Sequence, residues 1–152
     1  MIDLIAIGSD HGGFKLKAEI IKHLNDRGYQ VKDFGTFDEH SADYPDFGLA
    51  VAESIIKGEC EKGIAICGTG IGISISVNKV PGIRAALCTD SFMAKMSREH
   101  NNANILALGE RVIGVGSALE IVDAWLNTEF SGDDRHKARV NKISLIETKY
   151  TK

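Results

Sequence analysis

From Ile64 to Cys67 the chain is continuously apolar, and glycines at 68, 70 and 72 follow at once. A short strand must therefore leave through a turn that carries almost no side chains. Ser74, Val77 and Asn78 lead to Pro81-Gly82, which predicts a short helix starting close to Gly72. First-turn N–H groups have no intrahelical acceptor, and where Cβ atoms are missing an anion can approach them. The stretch is an expected anion cradle with a thiol, Cys67, at its lip.

The same pattern recurs along the chain. Ile2 to Ile7 is strand-like and closes in Gly8-Ser9-Asp10-His11-Gly12-Gly13, after which Phe14, Ala18, Ile21 and Leu24 repeat at helical spacing up to Gly28. Tyr29 to Phe34 predicts a second strand, residues 35 to 43 a polar loop, and Pro45 the first turn of a helix ending near Gly58. Ile83 to Cys88 reads as a fourth strand, Thr89-Asp90-Ser91 as the cap of a helix running toward His100, and Ile105 to Leu108 as a fifth strand. A loop carrying Arg111 follows, then a helix bearing Ala118, Ile121, Val122, Trp125 and Leu126. The last helix, about 135 to 150, shows Val140, Ile143, Ile146 and Tyr150 as its apolar stripe and Arg135 and Arg139 on one face. The expected fold is α/β: one Rossmann-like, three-layer domain over residues 1–152, with a sheet of about five parallel strands and an extra C-terminal helix. In such folds ligands bind at the carboxyl ends of strands, where Asp10, His11, Cys67, Asp90 and Arg111 fall.

Composition narrows the classes. At 152 residues, 43% hydrophobic and 26% charged, the chain suits one globular domain, and a net charge of -3 offers no basic footprint for nucleic acid. The first apolar run is too short for a signal peptide or membrane span, so a cytoplasmic location without membrane partners is expected. Three cysteines without a C-x-x-C pair indicate neither a disulfide framework nor a structural metal site.

Gly68, Gly70 and Gly72 give G-x-G-x-G, which puts Ile73 where a dinucleotide fingerprint needs its third glycine. Phe14 between Gly13 and Lys15 breaks the P-loop pattern as well. Two Gly-rich turns at strand ends point instead to a small phosphorylated or anionic ligand. A helix N-terminus gives Cys67 a reason for a lowered thiol pKa, whereas Cys60 and Cys88 read as structural. His100 is compatible with a C-cap or, beside Asn101, with chemistry. His11 in a Gly-rich turn has little packing to do, while His23 and His40 read as surface residues. Arg135 and Arg139 in a first turn oppose the helix dipole, which an anionic partner would explain.

Taken together, GSDHGGFKLK at 8–17, DYPDF at 43–47, ICGTGIGISISVNKVPGIRAAL at 66–87, SREHNNANILALGERVIG at 97–114 and RHKARV at 135–140 resemble the ribose-5-phosphate isomerase B group, the LacAB sugar-phosphate isomerases. The resemblance covers nearly the whole chain. It implies interconversion of ribose 5-phosphate and ribulose 5-phosphate without metal or organic cofactor, in a homodimer whose sites use both subunits. The last helix, with its apolar stripe and basic first turn after a completed sheet, is itself expected to pack on a second subunit, in a homodimer or dimer of dimers. The resemblance further implies Cys67 as base with Thr69 as its hydroxyl neighbour, and the N–H groups of Gly68, Thr69, Gly70, Ile71, Gly72, Ile73 and Ser74 as an oxyanion hole. Asp10 and Asn101 would contact sugar hydroxyls, His100 would open the ring, and His11, Arg111, Arg135 and Arg139 would bind phosphate. Tyr44 and the loop before it would set sugar length. One branch of the group lacks the cysteine and carries a glutamate at the position that is Ile73 here. Allose-6-phosphate and galactose-6-phosphate isomerases share the pattern. A non-catalytic nucleotide-binding module is the alternative of another class, and it would have no use for a thiol at the turn.

Overall fold

A computed structural model describes residues 4–151. Five parallel strands form one sheet in the order β2-β1-β3-β5-β4, built from β1 (Leu4–Ser9), β2 (Gln30–Asp33), β3 (Lys62–Cys67), β4 (Ala85–Leu87) and β5 (Ile105–Gly109). The helices are α1 (Phe14–Asp26), α2 (Tyr44–Ile56), α3 (Ile71–Val77), α4 (Ser91–Glu99), α5 (Val115–Leu126) and α6 (Asp134–Tyr150), with a 3-10 turn at His11–Gly13 ahead of α1. The three-layer α/β arrangement expected from the sequence is the one found.

Alternation along the strands sorts the two faces. Ile5, Ile7, Ile64, Ile66, Leu106 and Leu108 enter one core with Leu16, Ile20 and Leu24 of α1 and Ile121, Val122 and Trp125 of α5. Each such side chain contributes about 1.5–3 kcal/mol on burial. The opposite face is lined by Ala6, Ala65, Ala107 and Cys67 and meets Val51 and Ala52 of α2 and Ile73 and Val77 of α3. Small residues on this face let α2 and α3 lie close to the strands, and they bring the start of α3 directly over the end of β3.

The chain turns from β1 to one side of the sheet and from β3 to the other, so a crevice opens between the carboxyl ends of these strands. Asp10 follows β1 and Cys67 ends β3, so the topology puts both at the crevice.

Two expectations are corrected. The strand read from Ile83 to Cys88 is only Ala85–Leu87, because the Arg84 N–H is spent on the Asn104 side chain (2.8 Å) instead of a ladder. His23 is not a free surface residue: its Nε2 lies 2.8 Å from Asp123 Oδ1, pinning α1 to α5. The strand read from Ile2 to Ile7 is found over Leu4–Ser9, and Ile2 lies outside the described residues. His40 is exposed, and Cys60 and Cys88 are buried, as read.

The last helix buries only His136 within the chain. Its Ile143, Ile146 and Tyr150 are 40%, 61% and 78% exposed, and a hydrogen bond from the Gly82 N–H to Glu147 Oε2 (2.9 Å) tethers its C-terminal half. No helix among the described residues is long and apolar enough to cross a membrane.

Candidate active site

Cys67 is the last residue of β3 and is 4% exposed. Its Sγ accepts a hydrogen bond from the Gly70 N–H at 3.1 Å. Gly70 has φ +79, the left-handed conformation that turns the chain from the loop into α3. A Cβ there would stand 2.5 Å from Leu87 Cδ1 and 2.8 Å from the Leu108 carbonyl carbon, so the turn is closed by packing as well as by conformation.

Thr69 follows the thiol but spends its Oγ1 as acceptor of the Ile71 N–H (3.2 Å), a local turn that caps the start of α3. The hydrogen bond to the sulfur thus comes from the backbone, not from the threonine. The donor cradle is also narrower than the span from Gly68 to Ser74. The Ser74 N–H bonds Gly70 O (3.1 Å) and its Oγ bonds Ile71 O (2.8 Å), so Ser74 is committed inside the helix. Gly72 and Ile73 lie in the first turn, where donors lack intrahelical acceptors. The Ile73 side chain is fully buried in the core beside Val77, where a carboxylate would lack water.

Other residues close around this turn. Asp10, 6% exposed, caps the 3-10 turn through Oδ1 to the Gly13 N–H (3.2 Å), while its own N–H reaches Ile66 O (3.3 Å). A Cβ on Gly12 would stand 3.3 Å from Asp10 Oδ1 and 3.2 Å from Gly68 N, which places the carboxylate beside the glycine turn. The Arg111 guanidinium lies against Gly68, and the Arg111 backbone N–H donates to Gly68 O at 2.9 Å. His11 Nδ1 lies 3.0 Å from Ala42 N and 3.3 Å from Ala42 O, which ties this imidazole to the loop before α2. Tyr44 opens α2, and a Cβ on Gly72 would sit 2.6 Å from Tyr44 Cζ and 3.0 Å from its hydroxyl.

A second group gathers elsewhere. His100 caps the C-terminus of α4 and its ring stacks on His136 of α6, with centroids 4.3 Å apart. His136 is 4% exposed, with Nδ1 2.6 Å from Ser131 Oγ. Burial, then the neighbouring His100, holds the His136 imidazole below its ordinary value. Asn101 follows His100, and Arg135 and Arg139 flank His136 on α6 with exposed side chains. Because α4 returns from the end of β4 to the start of β5, His100 stands near Ile105 while Cys67 pairs with Gly109. About four residues of strand, roughly 13 Å, separate these levels. One chain thus carries two groups, one at each end of its sheet.

Sequence reasoning missed several contributors. Glu110 Oε1 accepts the Leu16 N–H (2.7 Å) and ties α1 to the loop that bears Arg111. His136, Arg84 and Arg98 also went unread, since burial of a polar side chain is a long-range property. The asparagines at 101, 102 and 104 were the available signal: Asn102 has φ +48, a conformation asparagine tolerates. Among the described residues, no group of three or more His, Cys, Asp or Glu is placed to hold a metal ion.

A parallel α/β sheet with a thiol-bearing glycine turn at its switch point now stands beside comparisons with known proteins. The chain belongs to the ribose/galactose isomerase family, whose pattern matches residues 5–143. It is similar to a solved structure of Clostridium thermocellum ribose-5-phosphate isomerase B, at 66% identity over 97% of this chain and 99% of that one, with a TM-score of 0.96. It is 50% identical over 143 residues to ribose-5-phosphate isomerase B of Escherichia coli, covering 94% of this chain and 95% of that protein. A putative sugar phosphate isomerase of Bacillus subtilis is 53% identical over 146 residues, or 95% of this chain and 97% of that protein.

Proposed function

We propose that this protein is a ribose-5-phosphate isomerase that interconverts ribose 5-phosphate and ribulose 5-phosphate. The observation that carries the reading is the buried Cys67 thiol at the end of β3, hydrogen-bonded by Gly70 and overlooked by Asp10 and Arg111. The names of the relatives supply the substrate.

The chemistry asks only for proton transfers. Ribose 5-phosphate is a ring in solution, so His100 first moves a proton between the anomeric hydroxyl and the ring oxygen as the C1–O bond opens. The Cys67 thiolate then takes the C2 proton, and the C–H electron pair becomes the C1–C2 double bond while O1 gains negative charge. N–H groups of the turn hold that enediolate. The thiol returns its proton to C1, O2 gives its proton to O1, and the ketone stands at C2. Asp10 and Asn101 hold sugar hydroxyls, Tyr44 bounds the sugar, and His11, Arg111, Arg135 and Arg139 take the phosphate.

Under this reading His100 and Cys67 must meet, yet they belong to opposite ends of one sheet. A second copy related by a two-fold axis resolves this, since each copy can lend its His100 group to the Cys67 group of the other. The uncovered apolar stripe of α6 supports the same assembly. We infer a single-domain subunit in a cytoplasmic homodimer or dimer of dimers.

The test is a coupled assay across ribose 5-phosphate, allose 6-phosphate and galactose 6-phosphate. The reading expects the highest kcat/KM with ribose 5-phosphate. A preference for a hexose phosphate would move the protein to another branch of the family, and no turnover with any of them would overturn the enzymatic reading.

A further inference from the structure

Two arginines outside the group assigned above converge on the segment that carries His100 and Asn101. Arg98, in the last turn of α4, is only 5% exposed. Its Nε donates to Thr128 O at 3.2 Å, one terminal nitrogen donates to Asn102 Oδ1 at 3.2 Å, and that nitrogen also makes a short bond to Ala103 O. The guanidinium lies 5.6 Å from the ring centroid of the fully buried Trp125. From the entrance to β4, Arg84 donates to Asn101 O (3.2 Å) and to Asn102 O (3.1 and 2.9 Å). Three successive carbonyls, those of Asn101, Asn102 and Ala103, are therefore held by two partly desolvated cations, and burial lowers the pKa of both.

A helix end needs acceptors covered, but a neutral donor or water can do that. Burying a guanidinium against carbonyls, without a hydrogen-bonded carboxylate, is a costly way to close a turn. What Arg98 adds is reach. Through Thr128 it joins the 101–103 turn to the segment leading into α6, where the Ser131 N–H also bonds Glu99 O (3.0 Å) and His136 stacks on His100. One side chain thus sets the relation of His100 and Asn101 to the helix that carries Arg135 and Arg139.

We propose that Arg98 is a positioning residue for the ring-opening step: it fixes how far His100 and Asn101 project toward the substrate. The inference rests on the assignment of His100 to ring opening. Displacement by about 1 Å at such a group costs on the order of 100-fold in rate. Enolisation of the open-chain ketose needs no ring closure, so its proton transfer does not call on His100.

The experiment compares Arg98→Met and His100→Asn in the full-length protein by two readouts: net isomerisation of ribose 5-phosphate, and exchange of the ribulose 5-phosphate C1 hydrogen with D2O followed by NMR. Arg98→Met is expected to lose roughly 10-fold to 100-fold in kcat for isomerisation, with a smaller rise in KM from the shifted Asn101 contact. Its C1 exchange should stay within about threefold of the parent. Asn102→Gly, which deletes one Arg98 acceptor while keeping the left-handed turn, should lose less in the same pattern, and it decides the matter if Arg98→Met does not fold. If Arg98→Met, or Asn102→Gly in its place, keeps parental isomerisation while His100→Asn loses it, the positioning role is overturned and the assignment of His100 stands. Equal loss of both readouts in a folded Arg98→Met also overturns the role, since a general structural effect would do that. If His100→Asn itself keeps isomerisation, the underlying assignment fails.

Discussion

The Gly70 N–H reaches Cys67 Sγ at 3.1 Å while Gly70 itself occupies φ +79, so the residue that holds the thiol is also the one that turns the chain into α3. Gly70→Ala should lose about 1–2 kcal/mol from the left-handed backbone alone. The Cβ would also press on Leu87 and Leu108, so the melting temperature and turnover should fall together. Thermal unfolding beside a ribose 5-phosphate assay measures both, and a variant of parental stability and activity would contradict the turn geometry.

Gly72 makes the opposite case. A Cβ there meets the Tyr44 ring, and Tyr44 is 39% exposed and free to swing aside. Gly72→Ala should leave the melting temperature nearly unchanged and raise KM by roughly tenfold through loss of a substrate contact. Tyr44→Phe, which keeps the ring, separates hydroxyl from shape. An unchanged KM in Gly72→Ala would remove Tyr44 from the site.

Acid should loosen the His136 end. Burial depresses the His136 pKa from 6.5, with His100, Arg135 and Arg139 acting in the same direction and Asp133 against. A base with a depressed folded pKa is neutral in the native state while the unfolded chain takes up a proton. Stability is therefore lost as pH falls below about 6.5, down to the folded pKa. His136→Gln should flatten the slope of melting temperature against pH in that window, and an unchanged slope would show that another group titrates there.

Subunit sharing is testable without a structure of the assembly. Cys67→Ala and Arg139→Ala chains should each be nearly inactive, and refolding them together should restore about a quarter of parental activity through hybrid dimers with one intact site. No recovery, with mixing shown by mass, would place all groups of a site in one chain.

The parts of this architecture that could be read from sequence are those whose causes are local. β1, β3 and β5 each contain an uninterrupted apolar run, and the glycine turns and the Asp90 cap follow from their own residues. The lip position of Cys67 could be read for the same reason. β4 was overextended because Ile83 looks like strand, whereas its neighbour Arg84 is drawn off to the 101–104 turn. Ser74 enters the cradle through the family resemblance, whereas α3 begins at Ile71 and so commits the Ser74 N–H to Gly70 O. His23 was misread because Asp123 lies 100 residues away in sequence. Arg98 and His136 look like solvated charges until folding buries them. Family resemblance supplied the candidate site residues, but their division into two groups at opposite ends of a sheet emerges only from the path of α4.

The central claim is that the Cys67 thiolate is the base. The most direct measurement is kcat of Cys67→Ser with ribose 5-phosphate, beside substrate binding by calorimetry. A serine hydroxyl is a far weaker base in the same geometry, so turnover should fall on the order of 10²–10⁴-fold while binding is kept within about threefold. A Cys67→Ser protein that retains most of its turnover would contradict the account and pass the role of base to Asp10, the buried carboxylate beside the same turn.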